Sequence, residues 1–394
     1  MRSDMIALDP DRLSALLQHK GYKQYHIAKM LGVSPKTVNR WCTGKVSYVS
    51  LTNGKQLADL LDCDIEDFGP LKSNENDALY QQLFTDDLLL TLSPSGSWAM
   101  LESILASMPQ DQISNQVKGK LLNWLSITSW RQRKYDQGMA YALEAKDLGR
   151  DTDLEDVYYQ ALANIATIQG IQGYPQPALA AYLECYEHLP KMGTAKDQAA
   201  LCNNLAMTYF DLGLFDQAAT MQEKTIQLYS TGPYPYNLAI GYAVLGLCQI
   251  ELGLWPSADQ ALAQALTQAQ TSNFVEGKVT VPLYQLYSQL KQGQVPASQA
   301  YDPLIKSFLE KATYDPYCYH IIDLYFRMVG HLDRAEETIL TGLDKVKEAG
   351  LLGGILLKEY ALLQTDKGEL AQANLLRAKS NACFKEAGII NRSW

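Results

Sequence analysis

The sequence lacks the features of several protein classes. Its seven cysteines are scattered and odd in number, and none forms a CxxC pair or stands at metal-ligand spacing from a histidine. We therefore expect free thiols in a reducing compartment, with no metal and no cofactor. The first residues show no charged segment followed by an apolar one, and no run of about 18 uncharged apolar residues occurs. The sequence thus favours a cytoplasmic protein with no membrane partner.

Motifs of catalysis are also missing. The sequence contains no glycine-rich phosphate loop and no nucleophile elbow, and its five histidines fall on unrelated predicted elements. The carboxylates of the later part are spread along predicted helix surfaces, as on a solvated face. We therefore predict that the protein is not an enzyme.

Acidic residues are absent from one part of the chain. Between Arg12 and Ala58 there are eight lysines and arginines and no aspartate or glutamate, although the whole chain has a net charge of −9. A basic end on an acidic body is expected when one end meets phosphate and the other does not. With 394 residues, the chain also exceeds the size of one compact core, so we expect at least two units.

The basic segment contains about five short helical patterns between residues 10 and 68. Gly32 permits a tight turn after the second, and Ser34 with Pro35 then supplies an N-cap and a proline at the first helical position. This third helix is predicted to bury Val38 and Trp41, which are three residues apart. Its remaining face carries Lys36, Thr37, Asn39 and Arg40.

The stretch from Gln24 to Lys45 resembles the phage-repressor (XRE) type of helix-turn-helix, with a match over roughly residues 8 to 68. In that family the second central helix enters the major groove. The resemblance implies base contacts from this helix, where Lys36 and Arg40 suit guanine and Thr37 suits a thymine methyl. It implies phosphate contacts from Gln24 and Lys45. The DNA-binding residues so implied are Gln24, Ser34, Pro35, Lys36, Thr37, Asn39, Arg40 and Lys45.

A capped, basic three-helix unit could also be a docking module that has kept this fold and lost DNA binding. A surface that no longer binds DNA would tolerate acidic residues. The absence of acids between Arg12 and Ala58 therefore favours DNA binding.

A repeat of about 40 residues is visible after Trp98. Breaks occur at Arg133 and then at six glycines, and a small residue stands five positions after each break. Small residues permit two helices to approach closely, so each unit predicts an antiparallel helix hairpin that stacks on its neighbour. The glycines are Gly173, Gly213, Gly253, Gly293, Gly330 and Gly368, and the small residues are Gly138, Ala178, Ala218, Ala258, Ser298, Ala335 and Ala373.

This pattern resembles tetratricopeptide repeats, most clearly between Asn204 and Ala218, and the resemblance covers about residues 117 to 388. It implies a right-handed α-solenoid of about seven helix hairpins, of which the fifth, around Gly293, is least regular. We therefore expect an all-α protein. An XRE-type DNA-binding domain would occupy residues 1–69, a linker with a connector helix residues 70–97, and a repeat domain for sensing and oligomerisation residues 98–394.

In the tetratricopeptide pattern the first helix of each hairpin faces a concave groove. The positions nine residues before each break, and three residues further on, lie on that side. Asn164 and Asn204 are equivalent, and their amides suit the backbone of a peptide, while tyrosines offer apolar walls. The asparagines could equally bridge neighbouring helices. The predicted ligand-binding residues are Asn164, Thr167, Asn204, Met207, Tyr284 and Tyr287.

A phage-repressor head joined to such repeats resembles the bacterial peptide-pheromone receptors of the RRNPP group, which act in quorum sensing. The resemblance implies a transcriptional regulator whose repeats bind a peptide, or another small ligand, that modulates binding to double-stranded DNA. We expect a homodimer, because two-fold symmetric operators suit paired heads. The alternative is an adaptor whose repeats bind a partner protein, with the head serving only as a tether.

Overall fold

The computed structural model describes residues 5–46, 48–68, 97–108, 113–296, 298–310, 316–346 and 350–389. The chain divides into two compact units, Met1–Phe84 with Pro109–Val117 and Thr85–Met108 with Lys118–Trp394. Residues 5–68 are called the head, and residues 97–389 the repeat body. The predicted connector helix from Leu79 to Leu92 lies outside the described residues.

Five short helices and one small sheet form the head. Strand β1 (Met5–Ala7) pairs antiparallel with β2 (Tyr48–Ser50), and Ile6 lies opposite Val49. The sequence patterns did not indicate these strands, because three residues are too few to show a strand's alternation. The helices are α1 (Pro10–His19), α2 (Gln24–Met30), α3 (Pro35–Cys42), α4 (Leu51–Leu61) and α5 (Ile65–Phe68).

The turn before α3 forms as its residues predict. Gly32 has φ 66°, in the left-handed region that favours glycine. The Ser34 hydroxyl accepts a hydrogen bond from the Thr37 backbone N–H at 3.1 Å, which caps the helix at its first turn. Val38 and Trp41 are buried in the core of the head, so α3 is fixed with its other face outward.

Seven helix hairpins follow one another through the described ranges of the repeat body, preceded by α6 (Trp98–Ala106). The number of hairpins therefore agrees with the repeat pattern. Their helices, two for each hairpin, are α7 (Asn115–Arg131) and α8 (Tyr135–Asp151), α9 (Glu155–Ile171) and α10 (Pro175–Glu187), α11 (Ala195–Asp211) and α12 (Phe215–Tyr229), α13 (Pro235–Glu251) and α14 (Trp255–Thr271), α15 (Gly277–Lys291) and α16 (Ser298–Glu310), α17 (Pro316–Met328) and α18 (Leu332–Val346), and α19 (Gly350–Asp366) and α20 (Leu370–Glu386).

Each predicted break joins the two helices of one hairpin. All seven break residues have positive φ, from 63° at Arg133 to 86° at Gly173. A left-handed residue at this point ends the first helix and reverses the chain direction. Arg133 is the one break residue with a side chain, and its position shows that the first hairpin turns like the others.

The small residues lie where the helices of a hairpin meet. The alanines at these positions are fully buried, and at Gly138 an added Cβ would lie 3.2 Å from the Ser126 backbone oxygen. Larger side chains would push the paired helices apart. The side chain of Ser298 lies outside the described residues. The buried alanines are Ala178, Ala218, Ala258, Ala335 and Ala373.

The fifth hairpin is the least regular, as predicted. Its helices α15 and α16 contain Pro282 and Pro303 in their interiors. Proline removes a backbone donor and disturbs the preceding turn of a helix.

The last hairpin returns to the second. A Cβ added at Gly173, in the turn of the second hairpin, would lie 2.6 Å from the Cα of Gly350, the first residue of α19. A Cβ added at Gly388 would meet Gln176 of α10 at 2.9 Å. The repeat body therefore closes on itself through a backbone contact that only glycine fits.

The described residues hold no helix that combines the length and apolar character needed to cross a bilayer. The seven cysteines are all free, and only Cys42 and Cys63 are partly exposed. Burial raises the pKa of these two thiols, which keeps them protonated near neutral pH.

Enlarging one of the small residues at which the two helices of a hairpin meet should destabilise the repeat body. Ala218→Leu places three further carbons between α11 and α12 and is expected to lower the free energy of unfolding by about 1–3 kcal/mol. Urea unfolding followed by circular dichroism measures this. Gln217→Leu places the same leucine side chain one residue earlier, on the exposed side, and should change stability little. Equal stability of both variants would contradict the packing assigned to Ala218.

Candidate DNA-reading surface and ligand groove

The outer face of α3 is cationic and accessible. Lys36, Asn39 and Arg40 are exposed, while Thr37 is half-buried. Within the described part of the chain, no carboxylate lies within 4 Å of the Lys36 ammonium or the Arg40 guanidinium. Both cations are therefore open to an external anion or to a base edge.

The remaining predicted DNA-binding residues lie around this face. Ser34 and Pro35 are exposed at the start of α3, and Lys45 is exposed just after its end. Gln24 is half-buried at the first position of α2. The Thr37 hydroxyl lies 2.8 Å from that of Ser34 and is hydrogen-bonded to it. The DNA contacts of all these residues stay predictions.

The repeat body contains two adjoining cavities on the side predicted to be concave. The larger cavity has a volume of about 490 Å³ and the smaller about 250 Å³. Together they fall in the range of small-ligand sites. The residues that line both are Trp130, Arg131, Thr167, Asn203, Asn204, Tyr236 and Ile240.

Five of the six predicted ligand-binding residues line this groove. Asn164 faces the smaller cavity, Thr167 and Asn204 face both, and Met207 and Tyr284 face the larger. Their spacing was read from the tetratricopeptide pattern, and it holds in the first four hairpins. Whether a ligand contacts them stays a prediction.

Tyr287 lines neither cavity, which corrects its predicted position. Its side chain is only 3% exposed, and its hydroxyl donates a hydrogen bond to Glu251 at 2.6 Å. Tyr317 donates to the same carboxylate at 2.8 Å. The hydrogen bond to the largely covered Glu251 holds the ring in the core, because a carboxylate with little access to water requires hydrogen-bond donors.

The two asparagines bridge neighbouring hairpins. The Asn164 side-chain amide donates to the backbone oxygen and to the side-chain oxygen of Asn123, each at 3.3 Å. The Asn204 amide donates to the Thr167 hydroxyl at 3.2 Å, and that hydroxyl lies 2.7 Å from the hydroxyl of the buried Tyr182. The bridging role left open by the sequence is therefore present, in residues that also face the groove.

The last two hairpins depart from the groove pattern. Ile321 is fully buried, and Glu359 lies in a buried ionic cluster with His320 and Arg327. Burial opposes ionisation of Glu359, but the charges of His320 and Arg327 lower its pKa overall. Asp323, in the same cluster, is buried enough that its pKa rises to about 7. These positions therefore lie in the core and not in the groove.

Sequence reasoning missed several groove residues. Trp130, Arg131 and Tyr236 lie at the ends of first helices, outside the two positions taken as concave. The close return of the last hairpin also brings Leu351 and Leu352 to the larger cavity. Asn203 had one sequence signal, because it precedes Asn204 directly; the two amides lie 3.4 Å apart.

Residues 12–69 match the model of the Cro/C1-type HTH DNA-binding domain. The head is a Cro/C1-type helix-turn-helix domain. No curated protein matches the chain significantly.

Solved structures resemble the whole chain in fold. A Rap protein complexed with Competence and Sporulation Factor is 14% identical, with a TM-score of 0.59, and the match covers 96% of this chain and 99% of that one. The apo quorum sensor NprR from B. thuringiensis is 14% identical, with a TM-score of 0.50 and coverage of 95% and 97%. Aspartyl phosphate phosphatase F from Bacillus subtilis is 12% identical, with a TM-score of 0.52 and coverage of 98% and 96%. At these identities the likeness establishes the fold alone, which is a helical repeat. In this chain that fold follows a Cro/C1-type head.

Removing the Thr167 hydroxyl should weaken the bridge between hairpins. Thr167→Val leaves the buried Tyr182 hydroxyl and the Asn204 amide without their shared partner, and should lower the free energy of unfolding by about 1–3 kcal/mol. Thr220→Val is the matched control, because the Thr220 hydroxyl makes an exposed bond to its own helix at 2.9 Å. Urea unfolding compares them, and an equal effect of both changes would show that the bridge adds no stability.

Proposed function

We propose that this chain is a cytoplasmic, sequence-specific DNA-binding transcriptional regulator whose repeat body binds a peptide that modulates DNA binding. The observation that carries the DNA-binding part is the accessible cationic face of α3 in a Cro/C1-type head. Lys36 and Arg40 have the donors needed for guanine edges, and the buried Val38 and Trp41 hold that face outward.

A peptide is the ligand that the groove favours. Its wall joins amide groups, from Asn203 and Asn204, to aromatic and aliphatic surface such as Tyr284 and Val244. Amides can pair with an extended backbone, and apolar walls can accept alternate side chains. The shared fold of NprR, a quorum sensor, motivates the same choice.

Pairing of two heads completes the proposal. One helix-turn-helix makes few base contacts, and a homodimer would read a two-fold symmetric operator. A bound peptide can alter DNA binding only if the peptide binds one arrangement of the dimer better than another. An adaptor that binds a partner protein through the same groove is the competing function.

Charge removal on α3 tests DNA reading. Lys36→Ala and Arg40→Ala should each weaken binding to an operator, selected by the chain from random duplexes, by about 1–3 kcal/mol. Fluorescence anisotropy measures the affinity. Lys20→Ala is the control, because the Lys20 ammonium already contacts the carboxylate of Asp62 at 3.9 Å. If both α3 variants bind the operator like the wild type, the regulator function is wrong. Binding of a partner protein by the repeats would then favour the adaptor.

Peptide binding should change DNA affinity. A peptide selected on the full chain is expected to shift the operator titration in a gel-shift assay at concentrations that saturate the groove by calorimetry. The two affinities must change by the same factor, because coupling between sites is reciprocal. Saturation by calorimetry with an unchanged operator titration would contradict the coupling.

A further inference from the structure

A cationic side chain stands where the two cavities join. Arg131 is the last residue of α7 and lines both cavities. Its guanidinium carbon lies 4.4 Å from the ring centre of Trp130 and 5.3 Å from that of Trp98. Aromatic faces hold an arginine without using its N–H groups. The donors at the edge of the guanidinium are therefore open to a ligand.

The guanidinium has no acidic partner in the described part of the chain. Other cations of the body are engaged, since Lys134 lies 2.5 Å from Glu102 and Lys291 lies 3.3 Å from Glu251. No described carboxylate comes within 4 Å of Arg131. Two parallel N–H groups of an arginine match the two oxygens of a carboxylate.

A second donor lies beside it without an acceptor. The Nε1 atom of Trp130 is buried and has no hydrogen-bond partner in the structure, and the ring lines both cavities. A buried donor without a partner costs free energy.

Charge is divided unevenly between the cavities. Besides the shared Arg131, the smaller cavity is lined by Lys196 and Asp197, whereas the larger is lined by Asp211 and Glu276. The Asp197 carboxylate is engaged in the capping box of its own helix, α11. By residue type, the smaller cavity therefore has one more cation, Lys196, and the larger has one more carboxylate.

We infer that the groove recognises the free C-terminal carboxylate of a peptide through Arg131. The inference rests on the proposed function, in which the ligand is a peptide. Tyr236 faces the same two cavities; burial raises its pKa, and the Arg131 charge opposes that rise. The Glu276 charge adds to the rise, so the Tyr236 hydroxyl stays protonated and keeps its donor.

The test uses two pools of short random-sequence peptides that differ only in a free or an amidated C-terminus. Each pool is incubated with the full chain, and retained peptides are counted by mass spectrometry after gel filtration. The wild type should retain the free-acid pool about tenfold more strongly. Arg131→Gln should abolish that preference, and Arg131→Lys should restore part of it. Arg150→Gln is the control, because Arg150 is exposed and paired with Asp147 at 3.1 Å.

The outcomes separate the inference from the function on which it rests. Equal retention of both pools by the wild type, or a preference that survives in Arg131→Gln, overturns the role of Arg131 and leaves peptide binding intact. A preference that follows acidic side chains in the amidated pool also overturns it. Retention of neither pool removes the carboxylate site together with the peptide-binding part of the proposed function.

Discussion

The close approach of two helices at one small residue is the constraint on which the body depends. At Ala218 and Ala258 no side chain beyond a methyl group separates the paired helices, and at Gly138 even a methyl group would press on backbone. Six such crossings among the described side chains hold the two helices of a hairpin together, and the hairpins then stack on one another. The groove follows from this stacking, since its walls are the first helices of successive hairpins.

The same constraint is met once more where the body closes. The turn at Gly173 and the start of α19 at Gly350 touch backbone to backbone. This contact brings Leu351 and Leu352 to the larger cavity, so residues far apart in sequence form one site. The head depends on a different constraint. Val38 and Trp41 are buried in its core and fix α3, so the cations on the other face of α3 remain accessible.

Periodicity and special residues made much of this predictable from sequence. Left-handed turns select glycine, helix crossings select alanine, and the Ser34 cap with Pro35 marks the start of α3. The strands of the head were not predictable in the same way, because three residues carry no period. The groove position expected for Tyr287 was wrong for another reason. Its hydroxyl donates a hydrogen bond to Glu251, which belongs to the preceding hairpin. Arg131 was missed because its position beside Trp98 and in one groove wall with Asn204 depends on how elements distant in sequence meet.

We propose that the cationic head binds double-stranded DNA while the acidic body binds a different ligand. The dependence of the dissociation constant on salt tests this most directly, since bound lysines and arginines release counterions from DNA. For the full chain on double-stranded oligonucleotides, we expect the logarithm of the affinity to fall linearly with the logarithm of the salt concentration. An affinity that does not change with salt, or no binding to any duplex at low salt, would contradict the account.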